Sequence, residues 1–539
     1  MNNQKEQKMN MRSIVTKPQL IAVMVLSLVA IAAGIVIAAL FGNLFMRPHD
    51  MQTQAGQGYF SQSTFGLSEA KNSEVVTLKN GDTYNLTAGI VKKNINGSEV
   101  KMLAYNGSIP GPTIKVAQGA TVTIHFTNNL DTPTTLHSHG IRDDNRFDGV
   151  PDITQKEIPV GGSFTYKLTF PDAGVYFYHA HIREDYTQPL GLYGNFLITP
   201  SNLNYYSPVN KEIPMMISDV LFNGNSTVPF NTTIVDNSLM GRFGNTFLVN
   251  GQTNYNVSVS KGDVVRFYFT NVASVRPFNL AIPGAKIKLV GADNGKYEQE
   301  KFVDSVLLGP SERAIVEVLF DKSGTFNLVS QTPQKTYLLG TITVSDKQIV
   351  TSYATQFVTL RTNQDIIQSI DSLRQYFDKP EDKSLTISVN MQGMGMNMGG
   401  MQMGNDSDKI EWEDSMGMMN SMSYSNNTTW KLIDTQTGKQ NGDINWQFKK
   451  GDVVKIKIFN DPNSQHPMQH PIHIHGQRFL VFSTNGVPNT DLVYKDTALV
   501  QKGDTVELLV KMDNPGNWVI HCHIPEHMES GMMMKYQVF

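Results

Sequence analysis

Two hydrophobic patterns divide the chain, and the more extensive one begins at about residue 75. From there onward, short segments alternate apolar and polar side chains and are separated by Gly, Pro, Asn and Asp, as at residues 120–126 and 453–459. Alternation with a period of two is typical of strands with one buried face. Many short strands with turn signals between them are typical of β-sandwiches. The pattern predicts an all-β protein built from several sandwich domains.

Residues 20–41 carry the second pattern, an apolar run without a charged residue. Such a run is long enough to span a bilayer as a helix. Positive charge precedes it at Lys5, Lys8, Arg12 and Lys17, which favours a cytoplasmic N-terminus. No clear small-X-small cleavage site closes the run, so a retained anchor is favoured over a cleaved signal peptide, which would give a secreted protein. We predict a transmembrane anchor with the folded domains extracytoplasmic.

The length of 539 residues fits three domains of about 150 residues each. A net charge of −3 argues against a nucleic-acid partner. The predicted divisions are a cytoplasmic N-terminus at 1–19, the anchor at 20–41, a flexible linker at 42–75, and sandwich domains at 76–200, 201–348 and 349–539. The middle domain contains no histidine, so any histidine site must be built from the first and third domains.

Histidines are strongly clustered along the chain. Ten of the thirteen fall in four short groups, each containing a His-X-His pair. In a strand, residues two apart point to the same face, so each pair can bind one site. A single pair would more often be structural or bind zinc, but four pairs indicate a multinuclear metal centre. The groups contain His137 and His139; His179 and His181; His470, His473 and His475; and His521, His523 and His527.

The one cysteine, Cys522, lies between His521 and His523. A thiolate with nearby imidazoles and a thioether, here Met532, is the ligand set of a blue copper site. Because neighbouring side chains in a strand point to opposite faces, Cys522 can bind one metal while the flanking histidines bind another. The segment therefore predicts a direct connection between two copper centres.

These four segments resemble the signature of the multicopper oxidases, the family of laccases and cuprous oxidases, over nearly the whole chain from about residue 75. The resemblance implies three cupredoxin-like Greek-key β-sandwich or barrel domains and four copper ions: one type 1, one type 2 and two type 3. The implied type 1 ligands are His470, Cys522, His527 and Met532, and the type 2 ligands are His137 and His473. The implied type 3 ligands are His139, His179 and His523 on one ion and His181, His475 and His521 on the other.

The resemblance also implies a reaction, in which a donor loses electrons one at a time and dioxygen receives four to become water. An axial Met532 predicts a low-to-middle type 1 potential. We expect cuprous ion as the donor, with a laccase-like oxidation of small phenols as the nearest alternative and ferrous or manganous ion also open. Phenols would need only an exposed edge of His470. A different class of function, a surface copper-binding or scavenging protein, would not require Cys522 or three coupled ions.

Oxygen reduction also needs protons, and the resemblance places a proton-delivering carboxylate at Asp148. The alternative is that Asp148-Gly149 forms only a turn. A second acid is harder to identify. Many bacterial members carry Glu directly after the last type 1 histidine, whereas this chain has Met528 there, with Glu526 and Glu529 nearby.

Residues 391–422 contain ten methionines among Gly, Asn, Gln and Ser. Because Gly and Asn at this density oppose helix and strand, we predict a mobile loop at 393–408. Thioethers are soft ligands that select cuprous ion, so the loop could collect that ion, although a functionally neutral insertion is the alternative. Methionines 416, 418, 419 and 422 are expected to pack near or cover the type 1 site. The candidate cuprous ligands are Met394, Met396, Met398, Met401 and Met403.

Overall fold

Strands dominate the part of the chain that the computed structural model describes, which is residues 58–347, 349–392 and 409–539. They form three successive pairs of sheets. The strand predicted at 120–126 is Thr121–Asn129, and the one predicted at 453–459 is Val453–Asn460. The all-β prediction is confirmed.

The first pair of sheets contains two of the four strands that carry clustered histidines. Its elements are β1 (Val75–Leu78), β2 (Thr83–Ile95), β3 (Ser98–Tyr105), β4 (Thr113–Ala117), β5 (Thr121–Asn129), β6 (His137–His139), a 3-10 turn (Asn145–Phe147), β7 (Ser163–Thr169), β8 (Gly174–His179), α1 (Glu184–Thr187) and β9 (Tyr193–Thr199). The strand orders are β1-β4-β9-β8-β6 and β3-β2-β5-β7. In β5, Val122, Ile124 and Phe126 are fully buried while the residues between them are not.

The second pair of sheets contains none of the clustered histidines. Its strands are β10 (Lys211–Val220), β11 (Phe222–Asn223), β12 (Ser226–Thr227), β13 (Thr246–Val249), β14 (Tyr255–Ser260), β15 (Val264–Asn271), β16 (Phe278–Ala281), β17 (Ile287–Ala292), β18 (Gly295–Val303), β19 (Val306–Leu308), β20 (Arg313–Leu319), β21 (Gly324–Gln331) and β22 (Thr336–Ser345). The orders are β13-β10-β15-β20-β17-β18 and β14-β22-β21-β16-β19, with β11-β12 as a separate hairpin.

The third pair of sheets contains the other two strands that carry clustered histidines. Its elements are α2 (Ala354–Val358), α3 (Gln364–Arg374), β23 (Lys383–Met391), α4 (Gly417–Ser421), β24 (Thr428–Asp434), a 3-10 turn (Asn441–Asp443), β25 (Asn445–Phe448), β26 (Val453–Asn460), β27 (His470–Ile474), β28 (Phe479–Thr484), β29 (Val487–Pro488), β30 (Tyr494–Lys495), β31 (Thr497–Val500), β32 (Thr505–Lys511), β33 (Gly516–Cys522), α5 (Pro525–Glu529) and β34 (Met533–Val538). The orders are β24-β23-β26-β32-β28-β29, with β30 also on β28, and β25-β34-β33-β27-β31.

The flexible linker predicted at 42–75 is too long at its carboxyl end. The Phe60 ring stacks on Tyr186 with centroids 3.8 Å apart. Further along, the backbone N–H of Ala70 donates to the Lys92 carbonyl and that of Lys71 donates to the Gly107 carbonyl, each at 2.8 Å. Polar composition suggested a tether, but these pairings with β2 and the turn after β3 hold residues 60–74 against the first pair of sheets.

Two of the sequence predictions lie outside the described residues. They are the membrane anchor at 20–41 with the preceding N-terminus, and the cuprous ligands Met394, Met396, Met398, Met401 and Met403 of the loop at 393–408. Within the described ranges, no helix is both long and apolar enough to cross a membrane.

Candidate metal centres

Two pairs of neighbouring strands bring clustered histidines opposite one another. In the first pair of sheets, β6 and β8 are antiparallel and His137 lies opposite His179. In the third pair of sheets, β27 and β33 are antiparallel, with His473 opposite His521 and Ile472 opposite Cys522. All ten clustered histidines are buried. The period of two thus brings each His-X-His pair to one face, as predicted from the sequence.

One group joins the thiol to two imidazoles; we call it the cysteine group and define it as His470, Cys522 and His527. The Cys522 Sγ lies 3.6 Å from His470 Nδ1 and 3.8 Å from His527 Nδ1, and the two nitrogens are 3.3 Å apart. Met532, fully buried, follows at the start of β34 and its carbonyl accepts a hydrogen bond from the Cys522 N–H at 3.1 Å. Two imidazole nitrogens and a sulfur in this triangle are a suitable donor set for copper.

The other eight histidines form a second cluster, the eight-histidine cluster. The Nε2 atoms of His475 and His521 lie 3.0 Å apart, and those of His179 and His523 lie 3.4 Å apart. Three overlapping groups have ligand atoms close enough to share an ion: His181, His475 and His521; His137, His473 and His475; and His137, His139 and His179. The cluster therefore forms between the first and third pairs of sheets, with members His137, His139, His179, His181, His473, His475, His521 and His523.

Backbone carbonyls orient several of these rings. The Nδ1–H of His137 donates to the Asp148 carbonyl at 2.6 Å, that of His473 to the Asp496 carbonyl at 2.7 Å, and that of His521 to the Cys522 carbonyl at 2.9 Å. A carbonyl can only accept, so the proton is on Nδ1 and the lone pair on Nε2. The buried Nε2 atoms of His137, His181 and His473 have no hydrogen-bond partner among the described residues. Buried and unsatisfied lone pairs that converge on one space are what a metal cluster requires.

His139 has the opposite orientation. Its Nε2 lies 3.0 Å from Asp496 Oδ1 and 3.0 Å from Thr497 Oγ1, while its buried Nδ1 has no partner in the described structure. This ring therefore offers Nδ1 to the cluster. The carboxylate that fixes it is itself held by Arg313 of β20, which belongs to the middle pair of sheets.

Burial favours the neutral form of several of these imidazoles. Desolvation lowers the pKa of His470 to about 3 and that of His521 to about 4. It also lowers the pKa of His139, His181 and His475 well below the usual value, with further lowering by neighbouring imidazoles. Burial raises the pKa of the Cys522 thiol, and only a bound cation would favour its thiolate here. The donor set therefore fits copper, which takes neutral imidazole and thiolate.

Asp148 lies in contact with the cluster. Its Oδ2 accepts from the Nδ1–H of His475 at 2.9 Å, and its Oδ1 is 3.3 Å from His137 Nδ1. The following Gly149 has φ +82°, and a Cβ there would be 2.1 Å from the Leu136 carbonyl. The chain turns at Gly149, and Asp148 contacts the two rings; its proton-delivering role stays a prediction.

Three residues near the cluster had not been identified from the sequence: Glu184, Asp496 and Arg313. Glu184, buried in α1, has carboxylate oxygens 3.5 Å from His181 Nδ1 and 3.8 Å from His179 Nδ1. Burial raises its pKa well above the usual value. Its position three residues after His181 was a signal available in the sequence. Asp496 and Arg313 are far from any histidine motif along the chain, so only the fold could show them.

Of the two acids near Met528, Glu526 is buried and Glu529 is partly buried. Burial raises the pKa of Glu526 to about 8 and that of Glu529 to about 7. The Oε1 of Glu526 accepts from the Arg242 N–H at 3.0 Å, and its buried Oε2 has no partner among the described residues. Met528 itself is buried.

The expected exposed edge of His470 is absent, because this residue is 0% exposed. The Trp430 ring packs on His527 with centroids 4.2 Å apart and on His470 with centroids 4.7 Å apart. The neighbouring Gln469 exchanges two hydrogen bonds with the backbone of Glu411. The prediction of an exposed edge at His470 was wrong, because Trp430, which packs against this ring, is distant from it along the chain.

Residues 409–422 are only partly loop-like. Helix α4 is held by Asn420, which accepts from the Met240 N–H and donates to the Gly241 carbonyl. Met416 and Met419 pack against the hydrophobic core that contains Cys522, whereas Met418 and Met422 are mainly exposed. Two of the four methionines therefore pack into the core of the third pair of sheets, and their position near the cysteine group stays a prediction.

Sequence comparisons agree with this geometry. Three domain models described as multicopper oxidase match residues 88–203, 200–350 and 413–539. Multicopper oxidase mco of Staphylococcus aureus is 26% identical over 82% of this chain and 85% of its own length. Multicopper oxidase MmcO of Mycobacterium tuberculosis is 25% identical over 84% of this chain and 86% of its own. Iron transport multicopper oxidase FET3 of Gibberella zeae is 24% identical over 84% of this chain and 75% of its own.

Solved structures give the same fold. A multicopper oxidase from Campylobacter jejuni, described as a metallo-oxidase, superposes with a TM-score of 0.65 at 25% identity and covers 89% of this chain and 99% of its own. McoA multicopper oxidase from Aquifex aeolicus gives a TM-score of 0.65 at 23% identity over 88% of this chain and 100% of its own.

Proposed function

Because the chain belongs to the multicopper oxidase family, and is thus a copper-containing oxidoreductase that uses dioxygen, we propose that its physiological electron donor is cuprous ion. The observation that carries this choice is the complete burial of His470, against which the Trp430 ring packs. A bulky phenol would have to displace packed residues to reach this ring. A small ion needs only a narrow route and suitable donor atoms.

The proposal assigns the cysteine group with Met532 to type 1 copper. The sulfur and two Nδ1 atoms lie 3.3–3.8 Å from one another, as ligands around one ion would. It assigns His137 and His473 to type 2 copper, each offering an unpartnered Nε2. The type 3 ligands are His139, His179 and His523 on one ion, and His181, His475 and His521 on the other.

The four coppers, when bound, supply one-electron acceptance at the type 1 site and dioxygen reduction at the cluster. The chain itself connects the two sites at the end of β33. Cys522 of the type 1 site is joined through the backbone to His521 and His523, which are ligands of the cluster. His521 and His523 are the catalytic residues of this connection, together with Cys522. No separate electron carrier is required between the sites.

Asp148 is proposed to bring protons to the cluster. Its Oδ2 holds the Nδ1–H of His475, and its buried position excludes bulk water from that contact. A carboxylate there can accept a proton from outside and release it towards reduced oxygen. The arrangement also fixes the His475 ring, so the residue has an orienting role in addition.

The alternatives remain distinct. A laccase-like oxidation of phenols is disfavoured by the covered His470, and a copper scavenger is disfavoured by the complete eight-histidine cluster. The choice of cuprous ion as electron donor is also supported by the sequence, which contains soft thioether ligands at methionines 394, 396, 398, 401 and 403. Membrane anchoring through residues 20–41, with an extracytoplasmic enzyme, rests likewise on the sequence.

Steady-state oxygen consumption by the copper-loaded protein tests the choice of donor. We expect a higher kcat/KM with cuprous ion than with ferrous ion or a small phenol, and a lower preference after deletion of residues 393–408. Replacement of that segment by an equally long Gly-Ser sequence is the matched control for chain length. A phenol preference that deletion leaves unchanged would contradict the proposal.

A further inference from the structure

Trp430 is a fully buried side chain of β24 in contact with both imidazoles of the cysteine group. Its ring stacks on His527 at an interplanar angle of 30° with centroids 4.2 Å apart. It meets His470 edge-on at 67° with centroids 4.7 Å apart. All three side chains are fully buried. One aromatic ring therefore packs against two of the proposed type 1 ligands at once.

The ring of His470 has no hydrogen bond that could fix its orientation from behind. Several histidines of the eight-histidine cluster donate their Nδ1–H to a backbone carbonyl, which fixes the ring. In His470, Nδ1 instead faces Cys522 Sγ, and the buried Nε2 has no partner among the described residues. The orientation of this ring therefore depends on packing, and Trp430 supplies the aromatic surface against which it packs.

The Trp430 ring is itself held by the middle pair of sheets. Its Nε1–H donates to the Ser238 carbonyl at 2.8 Å. Ser238 begins a stretch of residues between β12 and β13 that we call the 238–242 segment. Leu239 of this segment packs in the same hydrophobic core as Cys522. The middle pair of sheets contributes none of the proposed copper ligands, yet it reaches the surroundings of the proposed type 1 site.

Side chains in and after α4 fix the 238–242 segment in turn. Asn420 Oδ1 accepts from the Met240 N–H at 3.0 Å, and its Nδ2 donates to the Gly241 carbonyl at 2.9 Å. Ser423 Oγ accepts from the Leu239 N–H at 2.9 Å. The carbonyl that binds the indole thus belongs to a stretch of backbone that three hydrogen bonds hold in place.

A buried aromatic cover also affects the electrostatics of a copper site. Cupric ion carries a higher charge than cuprous ion, so nearby water stabilises the cupric form more. Excluding water with an apolar ring therefore raises the reduction potential. Imidazoles that cannot rotate also keep one ligand geometry in both oxidation states, which favours rapid electron transfer.

We propose that Trp430 is a positioning residue of the type 1 site, which fixes the rings of His470 and His527 and excludes water from them. Its one polar atom is bonded to the Ser238 carbonyl, so Trp430 acts through the two imidazoles and binds no copper itself. The middle pair of sheets thereby contributes to the redox properties of a site in the third pair. The inference rests on the proposed assignment of the cysteine group to type 1 copper, and it does not depend on which donor is oxidised.

The reduction potential of the blue absorbance, measured by potentiometric titration of the copper-loaded full chain, tests this role. Trp430→Leu removes the ring, and we expect the equilibrium constant for reduction to fall by about tenfold, which corresponds to about 59 mV for one electron. Trp430→Phe keeps an aromatic ring and should restore most of the potential. Trp446→Leu is the matched control, because Trp446 is buried in the same core, donates to Asp434 and pairs with the Phe448 ring.

Unfolding midpoints in urea separate this role from a purely structural one. Trp430→Leu and Trp446→Leu should both lower the midpoint, since each empties a large buried volume, but only Trp430→Leu should lower the potential. If Trp430→Leu loses the blue absorbance, its return in Trp430→Phe together with its retention in Trp446→Leu supports the role.

Equal potentials in the wild type and Trp430→Leu, or equal changes in the two leucine variants, would overturn the inference. Loss of the blue absorbance in both leucine variants and in Trp430→Phe would also overturn it. A copper-loaded wild type without blue absorbance would contradict the type 1 assignment and this inference with it. A wild type that oxidises phenols in preference to cuprous ion would contradict only the proposed donor.

Discussion

Arg313 and Asp496 form a fully buried ion pair that connects the middle pair of sheets to the histidine cluster. Arg313 Nη1 donates to Asp496 Oδ1 at 2.6 Å, and the same oxygen lies 3.0 Å from His139 Nε2. Arg313 Nε also donates to the Val175 carbonyl of β8 at 3.0 Å. The middle pair of sheets supplies no clustered histidine, yet this side chain contacts β8 of the first pair and the Asp496 carboxylate of the third.

Replacing Arg313 should therefore damage the cluster as well as the fold. In Arg313→Met, Asp496 would remain as a buried carboxylate without its partner, a change that costs about 3–5 kcal/mol. We expect a lower unfolding midpoint in urea and a reduced copper content, with the type 2 and type 3 signals lost before the blue type 1 absorbance. Arg146→Met, which removes an exposed ion pair with Asp144, is the control. Equal copper content in the two variants would contradict this role.

Asp148→Asn should slow the reoxidation of the reduced enzyme by dioxygen. The amide keeps the shape of the side chain but cannot carry a proton to the cluster, and contacts of this kind to metal ligands are worth about 10- to 100-fold in activity. Reduction of the type 1 site should be affected much less, because Asp148 is not in contact with the cysteine group. Anaerobic bleaching of the blue absorbance followed by mixing with dioxygen measures the two steps separately. Asp144→Asn is the surface control, and slowing of both steps alike would argue for a general structural effect.

Met532→Leu should raise the reduction potential of the type 1 site. Loss of the weak axial ligand lowers the coordination number, which favours cuprous over cupric ion at this site, and the surrounding core is apolar. Potentiometric titration of the blue absorbance measures the change. Met534→Leu, which alters an equally buried methionine of β34, should leave the potential near that of the wild type. A lower potential in Met532→Leu would be inconsistent with axial ligation.

The copper-free protein should lose stability on acidification. The folded pKa of His521 is lowered to about 4 and that of His470 to about 3, below the unfolded value of about 6.5, so the unfolded chain binds protons first. Their contribution to stability is complete above about pH 6.5 and is lost as the pH falls towards 4 and then 3. Unfolding midpoints of the copper-free protein between pH 7 and pH 4 measure it. Copper-loaded protein should unfold at a higher temperature at pH 7, because copper binds the folded ligands only.

The opposite dependence is expected for Glu526. Its folded pKa is raised to about 8 above an unfolded value of about 4.5, so its contribution is complete below pH 4.5 and is lost as the pH rises through 8. Glu526→Gln in the copper-free protein should therefore reduce the loss of stability between pH 5 and pH 8. Glu381→Gln, at an exposed position, is the control. An unchanged pH profile in Glu526→Gln would show that the group is ionised in the fold.

The local parts of the structure could be predicted from the sequence, and the contacts between distant segments could not. The period of two placed His137 opposite His179 and His473 opposite His521 once the strands paired, because side-chain direction in a strand is a local property. The packing of Trp430 against His470 and the support of His139 by Asp496 and Arg313 join segments that are distant along the chain, so each required the assembled fold. Helix α3 was missed for another reason: Ile366, Ile370 and Leu373 have helical spacing, but the surrounding strand pattern obscured it.

The most direct test of the account is the ratio of cuprous ion oxidised to dioxygen consumed by the copper-loaded protein. Coupling of Cys522 to the eight-histidine cluster predicts four cuprous ions for each dioxygen, with no hydrogen peroxide released and no effect of added catalase. Cys522→Ser should lose the blue absorbance and this turnover while it retains copper in the cluster. Two cuprous ions for each dioxygen with release of peroxide, or full turnover in Cys522→Ser, would contradict it.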